Sequence, residues 1–549
     1  MHSPLPLRTA IALAAASLAG SAGAFDIPTG NSDLSLRLDT TVRYNLGMRV
    51  EAQDARIQAN STYDESDNKF GKNDIVTNRL DLLGEMDLNW KNQFGGRLSA
   101  AAWFDQAYHD RTVTTTAPGF ASSYRNNTYN DTVKRYVAGP SGELLDAFVW
   151  SNFRLFDSPV NVKIGRHTNY WGEGLLFGAH AISYSQAPAD GQKAVNSPGI
   201  ETKEVFLPLG QVSARIQPTG DLTLQAQYFY EWKPTRLPYG GTYFGSADML
   251  FEGPDLLPVA ANGAAFSRIN SVKPGRYGNW GLSAKYNIEA IESNLGVYVR
   301  RFNDYQPWLN PQTLAAQGAF RLAYPTDVKL YGLSLGRVVG PVSVGSELSV
   351  RKDGALNSQA ISAVDNEGAR GDTLHGILGG VMLLPDNALS DTGSVAFELA
   401  YSQLLSVKSH PELFKGEGYA GCRAVLTPGV ANSGTKADGC STKRYAALAV
   451  NFTPQWLQIL PSWDLDVPMT VNYGFHGNAA TVGGGSERAL SWSLGARMTF
   501  GQRHEFTLRY ADTAAQPTYN AAGTALLGGN GNVGGSDRGW IVFTYKTGF

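Results

Sequence analysis

Residues 539–549 read Gly-Trp-Ile-Val-Phe-Thr-Tyr-Lys-Thr-Gly-Phe. Taking every second residue sorts Ile541, Phe543, Tyr545 and Thr547 onto one face of an extended segment and Trp540, Val542, Thr544, Lys546 and Gly548 onto the other. A period of two is what a strand needs when one side meets hydrocarbon and the other a wetter interior. Taken alone, the same alternation also suits a half-buried strand of a soluble β-protein.

Residues 34–50 carry the pattern further. The even positions are Leu34, Leu36, Leu38, Thr40, Val42, Tyr44, Leu46, Met48 and Val50, and the odd ones include Arg37, Arg43 and Arg49. Wound as a helix, this stretch would scatter its arginines round every side; extended, it puts them all on one face. The arginine face is expected to line a lumen and the leucine face to meet lipid. Residues 80–90 repeat the scheme with opposite charge: Leu80, Leu82, Met86, Leu88 and Trp90 alternate with Asp81, Leu83, Glu85, Asp87 and Asn89. If the two strands are neighbours, arginines face carboxylates inside the barrel, either neutralising buried charge or selecting a solute.

The joints between such segments sort by length. About eighteen candidate strands, with sixteen as the lower count if 160–167 and 211–217 are dropped, leave long joints at 51–78, 109–142, 168–210, 233–276, 303–325, 352–372, 408–442, 476–488 and 513–538. Short ones such as Asp157-Ser158-Pro159 and Val339-Gly340-Pro341 fall between them. Long outer loops and short periplasmic turns predict an all-β, antiparallel transmembrane barrel. A soluble sandwich has no reason to segregate its loops in this way.

The beginning of the chain agrees. Residues 1–24 combine Arg8, an apolar core from Ile11 to Ala22 and the small-residue run Ala22-Gly23-Ala24, as a secretory signal peptide would, with cleavage expected before Phe25. No later segment approaches the ~20 consecutive apolar residues of a membrane helix. With 61 glycines and 11% aromatic but only 17% charged residues, the composition suits tyrosine-rich strands and tight turns. No linker or change of composition divides residues 25–549, so one large domain is expected. A net charge of −2 argues against nucleic acid as a partner. The only two cysteines, Cys422 and Cys440, are expected to form a loop disulfide in an oxidising compartment, the alternative being two free thiols.

Three joints invite separate reading. The acidic run Asp64-Glu65-Ser66-Asp67-Asn68 could bind a divalent cation or face the lipopolysaccharide layer, but its spacing does not match a calcium loop and a solvated loop is expected. The stretch 168–210 is apolar in part (Leu175, Leu176, Phe177, Ile182); it either folds inward as a constriction bearing Trp171 and Glu173 or packs over the barrel mouth. Residues 233–276 carry Tyr239, Tyr243, Phe244 and Phe251 among prolines and glycines, which suits a fixed cap.

Several of these runs resemble a known family. Lys163-Ile164-Gly165-Arg166-His167 leading to Trp171-Gly172-Glu173-Gly174, then Tyr230-Glu231-Trp232-Lys233-Pro234-Thr235-Arg236, Tyr243-Phe244-Gly245-Ser246-Ala247-Asp248 and the run from Tyr324 to Ser334 are similar to segments of a proteobacterial outer-membrane protein family, domain of unknown function thirteen-oh-two. Leu38-Asp39-Thr40-Thr41-Val42-Arg43-Tyr44 is similar too, and a closing aromatic such as Phe549 resembles a barrel-assembly signal. His167, where the family usually has Gln, and Gly174, where it tends to a small hydroxyl residue, depart from the pattern. The resemblance implies an outer-membrane barrel, with a lipoprotein and an inner-membrane exporter as partners, and names no substrate.

Catalytic chemistry has little footing. Gly332-Leu333-Ser334-Leu335-Gly336 matches the G-x-S-x-G elbow in letters, yet that motif needs a strand-to-helix turn and here sits inside an alternating strand. Neither a zinc pattern among the eight histidines nor a phosphate-binding loop is present, so no metal or cofactor is expected. The expectation is therefore a channel or transporter for small, hydrophobic or amphipathic molecules in the bacterial outer membrane, as the outer component of an export or lipid-traffic system, in contact with the membrane's lipids and lipopolysaccharide. Its lumen would be lined by Arg37, Arg43, Arg49, Asp81, Glu85 and Asp87 and narrowed at Trp171 and Glu173. A surface adhesin anchored by its barrel is the alternative, and a membrane-embedded hydrolase a more remote one.

Overall fold

The computed structural model describes residues 25–549 except 423–424, 428–429 and 432–433. The expected signal peptide lies outside the described residues. Eighteen strands form the wall: β1 (Leu34–Arg49), β2 (Ile75–Trp90), β3 (Phe94–Asp105), β4 (Ser141–Leu155), β5 (Ser158–His167), β6 (Leu209–Ile216), β7 (Leu222–Phe229), β8 (Trp280–Ile288), β9 (Ser293–Phe302), β10 (Val328–Val339), β11 (Val342–Ala355), β12 (Arg370–Leu384), β13 (Thr392–Ser409), β14 (Arg444–Leu460), β15 (Trp463–Asp466 and Met469–His476), β16 (Leu490–Phe500), β17 (His504–Ala514) and β18 (Trp540–Gly548). β15 is broken where Pro468 has no amide hydrogen to give the ladder.

Each strand pairs antiparallel with its sequence neighbours, and β18 returns to β1 with Thr41 opposite Gly548 and Arg49 opposite Trp540. The backbone of Phe549 exchanges hydrogen bonds with Thr40 at 2.8 and 2.9 Å. No wall edge is left unpaired, which a cylinder in hydrocarbon requires. The alternation of β1 falls as the arginines predict: Leu38 is 41% exposed on the outside, whereas Arg43 is 1% exposed within. Ile541, Phe543 and Tyr545 of β18 likewise share the outward face, opposite Met48, Leu46 and Tyr44. The closed cylinder, greasy outside and polar within, is a transmembrane barrel of the bacterial outer membrane. Among the described residues no helix is long and apolar enough to cross a membrane.

All the long joints emerge at one end, and those of the first strands pack with 233–276 into a cap. Tyr108, Tyr124, Tyr129, Tyr239 and Tyr243 form much of its core with Phe70, Val76 and Trp540. The acidic run is not the solvated loop its composition suggests. Residues Asp64–Asn68 form a short helix in which Asp64, Glu65 and Asp67 are buried. Asp64 accepts the hydroxyl of Thr115 at 2.6 Å, Glu65 accepts the amide of Ser123 at 2.9 Å, and Asp67 accepts Arg49 at 2.8 Å. Donors from the 109–142 joint and from β1 replace the water that the run alone would need. Burial, and then repulsion by Glu65 and Asp64, raise the Asp248 carboxyl well above the usual range.

Candidate functional site

The long joint between β5 and β6 does not stay with the cap; it enters the cylinder and crosses it. Near its start, wall glycines leave room. A Cβ on Gly281 would sit 2.6 Å from the Trp171 ring, and one on Gly345 2.7 Å from the Glu173 Cβ. Trp171 is buried in this recess, its indole N–H donating to Gln225 at 2.7 Å and its ring 6.1 Å from that of Tyr298.

Two wall carboxylates then hold the backbone of the segment. Glu347 on β11 accepts amide hydrogens from Glu173, from Gly174 at 2.7 Å and from Ile182 at 2.6 Å. Glu398 on β13 accepts those of Leu175, Leu176 and Phe177 at 2.5, 3.0 and 2.5 Å. An irregular backbone inside a barrel has amides with no ladder partner, and anionic acceptors satisfy them with charge-assisted bonds.

A histidine pair follows. His180 faces His375 of β12 with Nδ1 to Nδ1 at 3.0 Å, and its Nε2 meets the Gly484 carbonyl at 2.8 Å. A carbonyl only accepts, so His180 carries its proton on Nε2 and offers a bare Nδ1. His375 then donates from Nδ1 and accepts the Thr373 hydroxyl at Nε2, 2.8 Å away. Both rings are neutral in this arrangement and every ring nitrogen is satisfied. Burial, and then the Arg351 charge, depress the His180 imidazole to about 4.

The far end is anchored on the opposite wall. The helix Gly191–Asn196 is capped by Asp190, and after it Ser197 donates to Asp81 at 2.7 Å and accepts Arg43 Nε at 3.0 Å. Arg43 forks onto both oxygens of Glu204 at 3.0 and 3.2 Å. Lys203 binds Glu85, and Lys193 and Arg236 both reach Glu143 of β4, at 3.1 and 2.7 Å.

The six charged positions read from β1 and β2 thus divide. Arg43, Asp81 and Glu85 each bond the crossing segment, at Ser197 and Glu204, at Ser197 and at Lys203 respectively. Arg49 instead holds the cap, donating to the carbonyls of Asp67, Phe70 and Asp537. Arg37 and Asp87 lie toward the turn end and, though opposite in register, do not pair: Arg37 bonds Asp39 at 2.9 Å and Asp87 bonds Arg97 of β3 at 2.7 Å. The simple two-strand charge ladder is replaced by contacts to a third strand and to the crossing segment, because a guanidinium reaches along its own strand as easily as across. Glu204, Glu347, Glu398 and His180 escaped the sequence reading. For Glu347 and Glu398 a signal was present, a lone acid on the inward side of an otherwise alternating strand.

Gaps remain beside the segment. One of about 440 Å³ lies between Ala194-Val195 and the wall residues Thr470, Asn472, Ser493 and Arg509. Another of about 480 Å³ lies against Glu173, bounded by Lys285, Gly336 and Gly379. Glu173 is part-exposed there, 3.7 Å from Lys285. In the outer loops Cys422 and Cys440 are joined as a disulfide with Cα atoms 5.9 Å apart. Ser334 lies within β10 and hydrogen-bonds Tyr298 at 3.0 Å, not a histidine. Among the described residues no cluster of three or more His, Cys, Asp or Glu side chains could hold a metal ion.

No curated protein matches the chain. Solved structures similar to it include OpdK of Pseudomonas aeruginosa, crystallised with vanillate, at 10% identity over 94% of this chain and 98% of that one, TM-score 0.40. OccAB2 of Acinetobacter baumannii is similar at 10% identity over the same shares, TM-score 0.41. OccAB4 of that organism is similar at 9% identity over 95% and 100%, TM-score 0.40. The fold stands on the strand pairing above and needs no support from them. The family model described as "Protein of unknown function (DUF1302)" matches residues 5–549, nearly the whole length, and the chain belongs to that family.

Proposed function

We propose that the barrel is a gated outer-membrane channel for small molecules, with the crossing segment as its gate. The observation that carries this reading is the way the segment is held. It is fastened to opposite walls by side chains, Glu347 and Glu398 on one side and Arg43 and Asp81 on the other, with polar gaps beside it. A segment built into the wall would share its ladder; one held by side chains can be released without opening the cylinder. In this reading Arg43, Asp81 and Glu85 line the path, Arg37, Asp87 and Arg49 set the potential at its two ends, and Trp171 and Glu173 mark its narrow part. Solutes are hydrophobic or amphipathic, a choice supported by Leu175, Leu176 and Phe177 in the gate. The export or lipid-traffic role, with its lipoprotein and inner-membrane exporter, rests on the family resemblance alone.

Single-channel recording in planar bilayers tests the proposal. Wild type is expected to conduct weakly, and Glu347→Gln/Glu398→Gln, which removes the anionic acceptors, to conduct several-fold more. A barrel silent in both forms would overturn the reading and favour the adhesin alternative.

A further inference from the structure

One sector of the wall is short. β6 and β7 have 8 residues each, against 16 in β1 and 18 in β13. At ~3.3 Å per residue and a tilt of about 40°, eight residues climb roughly 20 Å, less than the ~25 Å apolar band of an outer-membrane barrel. Over this sector the outer part of the band is met by connecting segments instead of hydrogen-bonded wall.

A cavity of about 640 Å³ lies there, and its lining comes from both sides of the wall. Gly142, Leu144 and Arg166 point outward: Gly142 is opposite Ala102, Leu144 opposite Ala100, and Arg166 opposite Ala147, itself opposite Leu98. Leu98 and Leu144 are both 44% exposed on that outer face. Glu143 and Leu207 belong to the interior, Glu143 through its pairing with Lys193 and Leu207 through packing on Leu83, Trp103 and Leu145. A single cavity is thus lined by residues of both faces, at the outer ends of β4 and β5.

Its chemistry is two-sided as well. Glu231 accepts Arg166 at 2.7 Å and Lys233 at 3.2 Å, so one carboxylate serves two cations. Arg135, also in the lining, is exposed and has no carboxylate partner among the described residues. Leu144, Leu207, Leu237, Phe251 and Leu322 supply apolar wall. The exposed rings of Tyr228, near the outer end of β7, and of Tyr230, just past it, are of the kind that settle at a membrane interface. The volume is that of a small-molecule site.

We propose that this cavity is a lateral door for an amphipathic anion, exchanged between the outer leaflet and the barrel interior. The carboxylate or phosphate head is held by Arg135, Arg166 and Lys233, and the apolar body lies along Leu144, Leu207 and Phe251. The door rests on the channel reading and gives that channel its substrate class and its route.

The test uses the full barrel in lipid nanodiscs and two probes, dodecanoate, which partitions into lipid, and benzoate, which stays in water. Leu144→Trp fills the door from its lipid side, Arg166→Gln removes a head-group cation, and Leu378→Trp, on an exposed position of β12, is the control. Dodecanoate binding at least tenfold weaker in the first two and unchanged in the control supports the door. Affinity unchanged in all three overturns it, and an equal loss for benzoate overturns the lateral route by giving the anion an aqueous source. Heat-modifiable mobility on gels reports folding, and Leu144→Phe replaces Leu144→Trp if that variant fails to fold. Conductance of the same preparations is read separately. Silent wild type together with door-dependent dodecanoate binding would remove the channel and leave the binding site.

Discussion

Arg43 and Glu204 are joined by two hydrogen bonds across 161 residues of sequence, at 3.0 and 3.2 Å, with both side chains 1% exposed. Neither charge has water to return to while the segment is in place. Removing Arg43 leaves Glu204 buried without its cation, which costs about 3–5 kcal/mol. Arg43→Ala is therefore expected to free the far end of the crossing segment without unfolding the wall. Hydrogen exchange should accelerate by two orders of magnitude or more over residues 197–207 and stay slow in β1. The paired change Arg43→Met/Glu204→Leu is expected to recover most of the protection, because an apolar pair leaves no orphaned charge.

Acid should loosen the other anchor. His180 is faced by His375 from β12, Arg351 from β11, the Tyr445 ring from β14 and the Gly484 carbonyl, with no carboxylate among the described residues bonded to either imidazole. Its ring titrates at about 4 in place against 6.5 when free. The released segment therefore binds more protons than the held one between these values. Anchoring is fully present above pH 6.5 and is lost as pH falls toward 4, by on the order of 3 kcal/mol at ~1.4 kcal/mol per pH unit. Conductance is expected to rise over that window in wild type and to lose this dependence in His180→Gln.

The cylinder was legible because its solvent boundary repeats every two residues. Leu34 to Val50 needed no partner to show which side faced lipid, and all eighteen expected segments, including 160–167 and 211–217, are strands. The inside was legible only as charge. That Arg43 and Asp81 face each other follows from register, whereas the meeting of both with Ser197 and Glu204 depends on a loop's path in three dimensions, for which sequence has no period. The acidic run at 64–68 misled for a related reason: hydrophilicity measures what a segment must bond to, not whether water or protein supplies it.

The Cys422–Cys440 bridge closes a short outer loop, with a separation of 18. Such a cross-link restricts the open chain by about 3 kcal/mol in the loop-entropy view. Because the loop is outside the wall, Cys422→Ser/Cys440→Ser is expected to increase proteolysis between residues 411 and 442 while leaving heat-modifiable mobility unchanged. Loss of the folded band would instead mean that the loop is needed to assemble the barrel.

Two glycines of the wall should respond oppositely to the same substitution. Gly345 faces the lumen, where a Cβ would stand 2.7 Å from the Glu173 Cβ, closer than unbonded carbons approach. Gly84 of β2 is on the outward face between Leu82 and Met86, and a Cβ there meets nothing within 4 Å. Both have ordinary extended backbone, so valine strains neither strand and only the space differs. Gly84→Val is expected to leave folding and conductance as in wild type. Gly345→Val must displace Glu173, and Glu347 holds the adjoining amides of Glu173 and Gly174, so the displacement breaks that clasp as well. The expected result is a folded barrel with conductance raised several-fold and faster hydrogen exchange at residues 173–182. An unchanged Gly345→Val channel would show that the recess does not hold the segment in place.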